Sequence, residues 1–200
     1  MQNLIESDDT RDFYVYVDPH CPHVKSGGFA TDSKTPAVDA LMFMPNPNFS
    51  ATASPFQNNL VRNYMAEYQL ETARKKSFPH YPPRLQGIFL LPTERAADDY
   101  SRRHPNHVRG RTLRRVRTSG TYVYSAHDSA WIDFLRLPTT HGDNTITNAT
   151  AAYWMGEHAC THTLYYNDTP WVMEPITEIL YLGAIEFYSN VLEAPFQRAG

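Results

Sequence analysis

The sequence predicts one domain of the α+β class, spanning residues 1–200, with split, mostly antiparallel sheets and helices on their flanks. Three observations favour this class. Apolar runs of strand length recur along the chain and end at Pro or Gly. Segments of helical length lie between them and begin with capping patterns. A chain of 200 residues is also long enough for a single domain to bury roughly 70% of its unfolded surface.

The first predicted strand covers residues 13–17, FYVYV, which are β-branched and aromatic and are followed by Asp18-Pro19. The next loop contains His20, Cys21 and His23. Cys and His side chains bind zinc, but two prolines interrupt this cluster and no second ligand pair follows at zinc-finger spacing. A loop with incidental histidines is therefore the simpler interpretation.

Two helices are predicted next. Thr35-Pro36 is typical of a helix start, and residues 44–54 form a loop that could close over a site. Ser54, followed by Pro55 and by Gln57 three residues after the cap, predicts the start of the clearest helix. Its apolar stripe consists of Phe56, Leu60, Val61, Tyr64 and Tyr68. We interpret this stripe as core packing.

The segment 77–100 combines three elements in a short span. Prolines make residues 79–83 an extended rim, because proline fixes φ and lacks an N–H donor. Residues 85–91 are an apolar run of strand length. Thr93 can then cap a helix. That helix carries Ala96, Ala97 and Tyr100 at helical spacing.

The charges are unevenly distributed although the net charge is only -3. No acid lies between Asp99 and Asp128, and this part of the chain holds a basic run. The run consists of Arg102, Arg103, Arg109, Arg111, Arg114, Arg115 and Arg117, with His104 and His107. It predicts either an exposed face that pairs with the acidic C-terminal half or a surface for phosphate or nucleic acid.

The next part of the chain predicts a hairpin, a strand and a helix. Ser119-Gly120 is interpreted as a turn into residues 121–125, and residues 131–137 as a further strand. A helix follows over residues 149–155, with Tyr153 and Trp154 buried. His158, Cys160 and His162 alternate, so on a strand they would share one face as a metal triplet. No well-placed carboxylate accompanies them, and no metal site is assigned.

Glu178 precedes two apolar strand-like pieces, ILYLG and AIEFYSNVL, which join at Gly183. A carboxylate beside a buried strand is costly to desolvate unless it is paired or functional. Glu178 is therefore expected to be paired or functional, with an exposed edge carboxylate as the alternative. Glu174 and Glu186 are possible substitutes.

Several function classes lack their usual motifs. The sequence has no G-x-G-x-x-G, no P-loop and no G-x-S-x-G. Cys21 and Cys160 form no C-x-x-C pair. No apolar run approaches the ~20 residues that span a bilayer. The polar, acidic first residues differ from a secretory signal peptide. We therefore expect a cytoplasmic protein without membrane partners.

Three short motifs carry a resemblance. Gly87-Ile88-Phe89, followed by Ala96-Ala97 and Tyr100, resembles a segment of ADP-ribosyltransferases of the diphtheria-toxin and poly(ADP-ribose) polymerase type. PPRLQGIF (82–89), AYWMG (152–156) and TEILYLG (177–183) are similar to an uncharacterised bacterial family grouped with those enzymes. Phe89 stands where the enzymes usually have Tyr. Their first-strand His is missing. Ile176 replaces the Glu or Gln of arginine-modifying members.

The resemblance implies an enzyme that uses NAD as a substrate and transfers ADP-ribose to a macromolecular acceptor, protein more than nucleic acid, with release of nicotinamide. NAD hydrolysis is a variant of this reaction. Glu178 would act at the ribose, Phe89 and Tyr81 would stack on nicotinamide, and Arg84 would bind the pyrophosphate or support the rim. Tyr16 and His20 are the candidates for the position of the missing His.

Two alternatives from other classes remain. One is a module that binds NAD or ADP-ribose in the same cleft without turnover. The other is a nucleic-acid-binding protein that uses the basic run of residues 102–117, with affinity that falls as salt rises. By analogy, small domains of the resembling kind occur as toxins, effectors or phage proteins, which are delivered into a target cell.

Overall fold

A computed structural model describes residues 3–31, 55–139 and 141–188 of the chain. The strands in this part are β1 (Leu4–Ser7), β2 (Asp12–Val17), β3 (Gly28–Thr31), β4 (Ile88–Leu90), β5 (Thr112–Asp128), β6 (Leu164–Tyr166), β7 (Thr169–Trp171) and β8 (Thr177–Phe187). The helices are α1 (Pro22–Lys25), α2 (Pro55–Ser77), α3 (Glu94–Arg103), α4 (Pro105–Val108), α5 (Ala130–Leu135) and α6 (Asp143–Met155). This content confirms the predicted α+β class.

The main sheet is antiparallel and has two long central strands, β5 and β8. Each outer edge is made of two short strands placed end to end. β2 and β1 pair with successive parts of β5, while β4 and β3 pair with successive parts of β8. The edges also meet, because Tyr14 and Leu91 exchange backbone hydrogen bonds of 2.9 and 2.8 Å. The short strands β6 and β7 form a separate hairpin.

Two glycines singled out in the sequence lie inside the long strands. The register between β5 and β8 shifts between Ser119 and Val123, with Gly120 at φ 69°. The predicted hairpin is therefore wrong, because the positive φ of Gly120 accommodates a bulge instead of a chain reversal. The two apolar pieces that join at Gly183 form one continuous strand, β8.

Helices α2, α5 and α6 pack together into one core cluster. Its largest side chains are Leu70, Trp131, Phe134, Tyr153 and Trp154, and Leu180 of β8 joins them. The other face of β8 contributes to a second cluster with β2, β4 and β5. A third cluster lies beneath α3. The burial of Tyr153 and Trp154 confirms that prediction.

The helices predicted within the described residues occur, and one predicted strand is a helix. α2 and α6 are present, although α6 begins at Asp143. The hydroxyl of Thr93 caps α3 by accepting a 3.1 Å hydrogen bond from the N–H of Ala96. The predicted strand at 131–137 is instead α5, whose residues are nearly all buried. A short run that is apolar on every side carries no periodicity that separates strand from helix.

Two further expectations differ from the structure. The strand at 85–91 is reduced to β4, and Leu85 is 47% exposed. The alternation of His158, Cys160 and His162 does not lie on a strand, because Ala159–Thr161 form a 3₁₀ turn. Within the described residues, no three His, Cys, Asp or Glu side chains group as metal ligands.

The helix start at Thr35, the loop at 44–54 and the cap at Ser54 lie outside the described residues, as do the side chains of Phe56, Leu60 and Val61. None of the helices in the described ranges is long and apolar enough to cross a membrane.

Candidate active site

Glu178 is the second residue of β8 and is 1% exposed. The hydroxyl of Tyr153 donates a 2.6 Å hydrogen bond to its Oε1, and the Arg84 guanidinium donates to the same oxygen. Arg84 also donates to the Tyr153 hydroxyl. The carboxylate is thus paired and oriented, as a buried charge requires. The sequence predicts that this strand starts after Glu178, at Ile179, whereas β8 starts two residues earlier, at Thr177.

Arg84 joins two buried acids. It follows the buried Pro82 and Pro83, and its Nε donates to Glu67 of α2 at 2.7 Å. Arg136 also donates to Glu67, at 3.2 Å. Burial alone would lower the pKa of Arg84, but Glu178 and Glu67 raise it well above its ordinary value. Burial alone would raise the pKa of Glu67, whereas Arg84 and Arg136 lower it overall. The two acids and two arginines therefore balance in charge.

A cavity of about 130 Å³ lies beside this network. One side of it is formed by four rings, which we call the aromatic wall: Phe89, Tyr100, His104 and His107. Neighbouring ring centroids along this wall are 5.2, 4.8 and 4.9 Å apart. Phe89 reaches the cavity because it pairs with Leu180, which shares the sheet face of Glu178 two residues away.

The opposite side of the cavity is polar. It contains Arg84 and Glu178 together with Ser129, Asp133 and Arg136 from the chain around α5. Three buried atoms there, Ser129 Oγ, Asp133 Oδ2 and Arg136 Nε, have no hydrogen-bond partner among the described residues. Because most buried polar groups in proteins are paired, three unpaired groups around one cavity are typical of a ligand site.

Burial changes the pKa of several cavity groups. It raises the pKa of Asp133 to about 6, although Arg103 and Arg136 oppose the change. It lowers the pKa of His104 to about 4 and also lowers that of His107. Both histidines are therefore neutral at pH 7, and Asp133 is largely ionised.

The structure brings three of the predicted site residues together. Arg84, Phe89 and Glu178 line the same cavity. Tyr16 packs into the cluster beneath α3 with Phe89, and its hydroxyl donates to the carbonyl of Ala97 at 3.2 Å. Tyr16 therefore packs against Phe89 and α3, which carry the aromatic wall, and it is not among the residues that line the cavity.

Four other predicted residues lie elsewhere. Tyr81 lines a separate cavity of about 570 Å³, and its hydroxyl donates to Asn3 at 2.8 Å. His20 is exposed, and its backbone N–H binds the side chain of Asp18. Glu174 is exposed, and Glu186 pairs with Arg117 at the surface, so neither substitutes for Glu178 at the cavity.

In the larger cavity, the buried polar side chains have structural partners. Asp128 lies there, but its carboxylate accepts backbone hydrogen bonds from Ala130, Ala159 and Ile176, which is a structural role. His127 also lines it and bonds Ser125 Oγ at 2.7 Å and the carbonyl of Tyr153 at 2.8 Å. Burial lowers the pKa of His127 to about 3. These polar groups are already partnered.

The residues that sequence reasoning missed come mainly from α5. Asp133 and Arg136 are separated by three residues, which places them on one side of a helix. The interpretation of 131–137 as a strand hid this relation. The sequence signal that could have identified these two residues is one acid and one base, Asp133 and Arg136, within an otherwise apolar run.

Residues 25–166 match a protein family described as "Protein of unknown function (DUF2441)". The match includes Arg84, Phe89 and Asp133, and it ends before Glu178. A search of curated proteins finds no significant match to this chain. Because the matched residues make up well over half of the 200-residue chain, the chain belongs to the DUF2441 family.

Proposed function

We propose that this protein binds NAD with the nicotinamide ring in the 130 Å³ cavity and transfers ADP-ribose to a macromolecular acceptor, releasing nicotinamide. One observation carries the proposal. Arg84 and Phe89, from one resembling motif, and Glu178, from another motif far along the chain, line one cavity.

The proposed chemistry is cleavage of the bond between the ribose and nicotinamide. Its transition state is oxocarbenium-like, so a fixed carboxylate beside the ribose lowers its energy. Within the described residues, both hydrogen bonds of Glu178 fall on Oε1. Oε2 is thus the oxygen that would face the ribose, while Arg84 and Tyr153 hold the carboxylate in place.

The size of the cavity suits a single planar ring. A volume of about 130 Å³ is smaller than the roughly 300–1,000 Å³ that enclose larger ligands, so the rest of the dinucleotide would lie outside. The ring of bound NAD is a pyridinium. It would stack on Phe89 and meet neutral rings of His104 and His107, which do not repel it.

The basic run gives less support to a nucleic-acid-binding function. Several of its arginines are neutralised by acids: Arg102 pairs with Asp99, Arg115 with Asp12 and Arg117 with Glu186. This agrees with an exposed face whose charges are paired, but only Glu186 belongs to the predicted acidic C-terminal half, and Asp12 and Asp99 lie in the N-terminal half.

The test compares wild type with Glu178→Gln, using NAD labelled separately in its nicotinamide and adenine parts. The amide keeps an oxygen for Arg84 and Tyr153, but it removes the negative charge. We expect nicotinamide release to fall by about 10²–10³-fold, as when a fixed transition-state contact is lost, while NAD binding remains. The matched control is Glu186→Gln on the same strand, which should keep full activity.

The labelled products separate the alternatives. Adenine label on macromolecules of a cell lysate would indicate transfer, and free ADP-ribose would indicate hydrolysis. NAD binding without nicotinamide release would identify a binding module. Absence of NAD binding by the folded wild type would overturn the proposal.

A further inference from the structure

A second carboxylate, Asp133, lies at the cavity and differs from Glu178 in its surroundings. Its side chain is 16% exposed, and its Oδ2 makes no hydrogen bond to the described residues. The nearest cations are Arg103 Nη1 at 3.8 Å and His104 Nε2 at 3.5 Å, the latter a cation only when protonated. Oδ2 is therefore able to accept a proton.

The hydrogen bonding of Glu178 differs from that of Asp133. Oε1 accepts hydrogen bonds from Tyr153 and Arg84 together, which stabilise it as an anion. A general base needs an oxygen within reach of the proton that it removes. Pairs of carboxylates whose environments differ in this way commonly divide the work between charge stabilisation and proton transfer.

We propose that Asp133 is the general base of the reaction and that the attacking group is a hydroxyl, from water or from a macromolecular acceptor. This inference rests on the proposed NAD chemistry. The bond between ribose C1′ and nicotinamide N1 breaks, and its electron pair neutralises the pyridinium. The attacking oxygen bonds to C1′, and its proton passes to Asp133 Oδ2.

The need for a base excludes one class of acceptor. A carboxylate acceptor is already ionised at neutral pH and attacks without losing a proton. A hydroxyl or a water molecule must be deprotonated as it attacks, and Asp133 supplies this function beside Glu178.

Five charged or titratable groups from four elements change the pKa of Asp133 or lie close to its carboxylate. Arg103 of α3 and Arg136, immediately after α5, lower its pKa, whereas Glu178 of β8 and Asp128 of β5 raise it. The fifth is His104, at the end of α3. Burial has the largest effect and raises the pKa to about 6. Wild-type turnover should therefore decline as pH falls through about 6.

The experiment measures nicotinamide release by Asp133→Asn across pH 5–8, with and without azide. We expect kcat to fall by about 10²–10⁴-fold, the range for loss of a general base, with little change in KM for NAD and no decline through pH 6. Azide needs no deprotonation, so it should restore nicotinamide release by forming ADP-ribosyl azide. It should not rescue Glu178→Gln. The control is Asp143→Asn on the exposed start of α6.

The outcomes separate this inference from the function on which it rests. No nicotinamide release by folded wild type overturns both. Loss of activity in Glu178→Gln with full activity in Asp133→Asn overturns only the role of Asp133. An inactive Asp133→Asn that azide fails to rescue assigns the residue a structural role and also overturns the inference.

Discussion

At the scale of single residues, Arg84 holds two buried acids in place. It contacts Glu178 and Glu67, and its own side chain is 10% exposed. Arg84→Met leaves both carboxylates without their main partner, so we expect the free energy of unfolding to fall by about 3–5 kcal/mol at pH 7. Urea denaturation measures this change.

The control for this prediction removes one acid as well. Arg84→Met combined with Glu178→Gln leaves Glu67 with its other partner, Arg136, so the charges balance and most of the lost stability should return. In the single variant Glu67 loses the Arg84 contact that lowers its pKa against the effect of burial, so its pKa would rise. The stability deficit of the variant should then shrink as pH falls toward 5. A single variant as stable as wild type would contradict the account of this network.

At the scale of elements, two glycines fix the path of the long strands, and they do so differently. Gly120 has φ 69°, and a Cβ there would contact nothing within 4 Å. Gly183 lies opposite the bulge at φ 144°, and a Cβ there would approach Tyr122 Cβ to 2.7 Å and the Tyr181 hydroxyl to 2.9 Å. We expect Gly120→Ala to cost about 1–2 kcal/mol through backbone strain alone.

Gly183→Ala should cost about 1–3 kcal/mol more, because packing strain is added to backbone strain. Thermal and urea unfolding of the two variants measure the difference. Equal losses would mean that the contacts around Gly183 relax freely and that only backbone conformation matters at both positions.

The elements also show how far sequence reasoning extends. Helices with capping signals, such as α3 with Thr93, were predicted because the signal is local. The residues suggested at the cavity, Phe89 and Glu178, lie on strands whose register places them together. The contribution of α5 was missed, since a run buried on all sides has no polar face to reveal its period. Tyr81 was assigned to nicotinamide stacking by resemblance, whereas it lines another cavity.

At the scale of the whole molecule, the sheet and the helices meet at the candidate site. The C-terminal end of β5 and the N-terminal end of β8 are paired there, His127 lies opposite Glu178, and α3 and α5 cover them. Buried titratable groups are therefore concentrated in one region. Their combined proton uptake should control how the stability of the folded chain depends on pH.

Three of these groups determine the sign of that dependence between pH 5 and 6. Burial lowers the pKa of His127 to about 3 and that of His104 to about 4, so both are neutral when folded and take up protons on unfolding. Asp133 acts in the opposite direction. Its pKa is about 6 in the folded chain, so as the pH falls the folded state binds a proton at this carboxylate before the unfolded state does. Unfolding therefore takes up about one net proton.

Stability should consequently decrease by about 1.4 kcal/mol for each pH unit of acidification in this window, the value for one proton. His127→Gln should abolish most of this slope, whereas Asp133→Asn should roughly double it by removing the opposing group. Urea unfolding at pH 5.0, 5.5 and 6.0 measures the three slopes, with the exposed His80→Gln as the control that follows wild type. A slope in Asp133→Asn no steeper than that of wild type would mean that Asp133 does not bind a proton near pH 6, and the pH dependence expected for catalysis would fail with it.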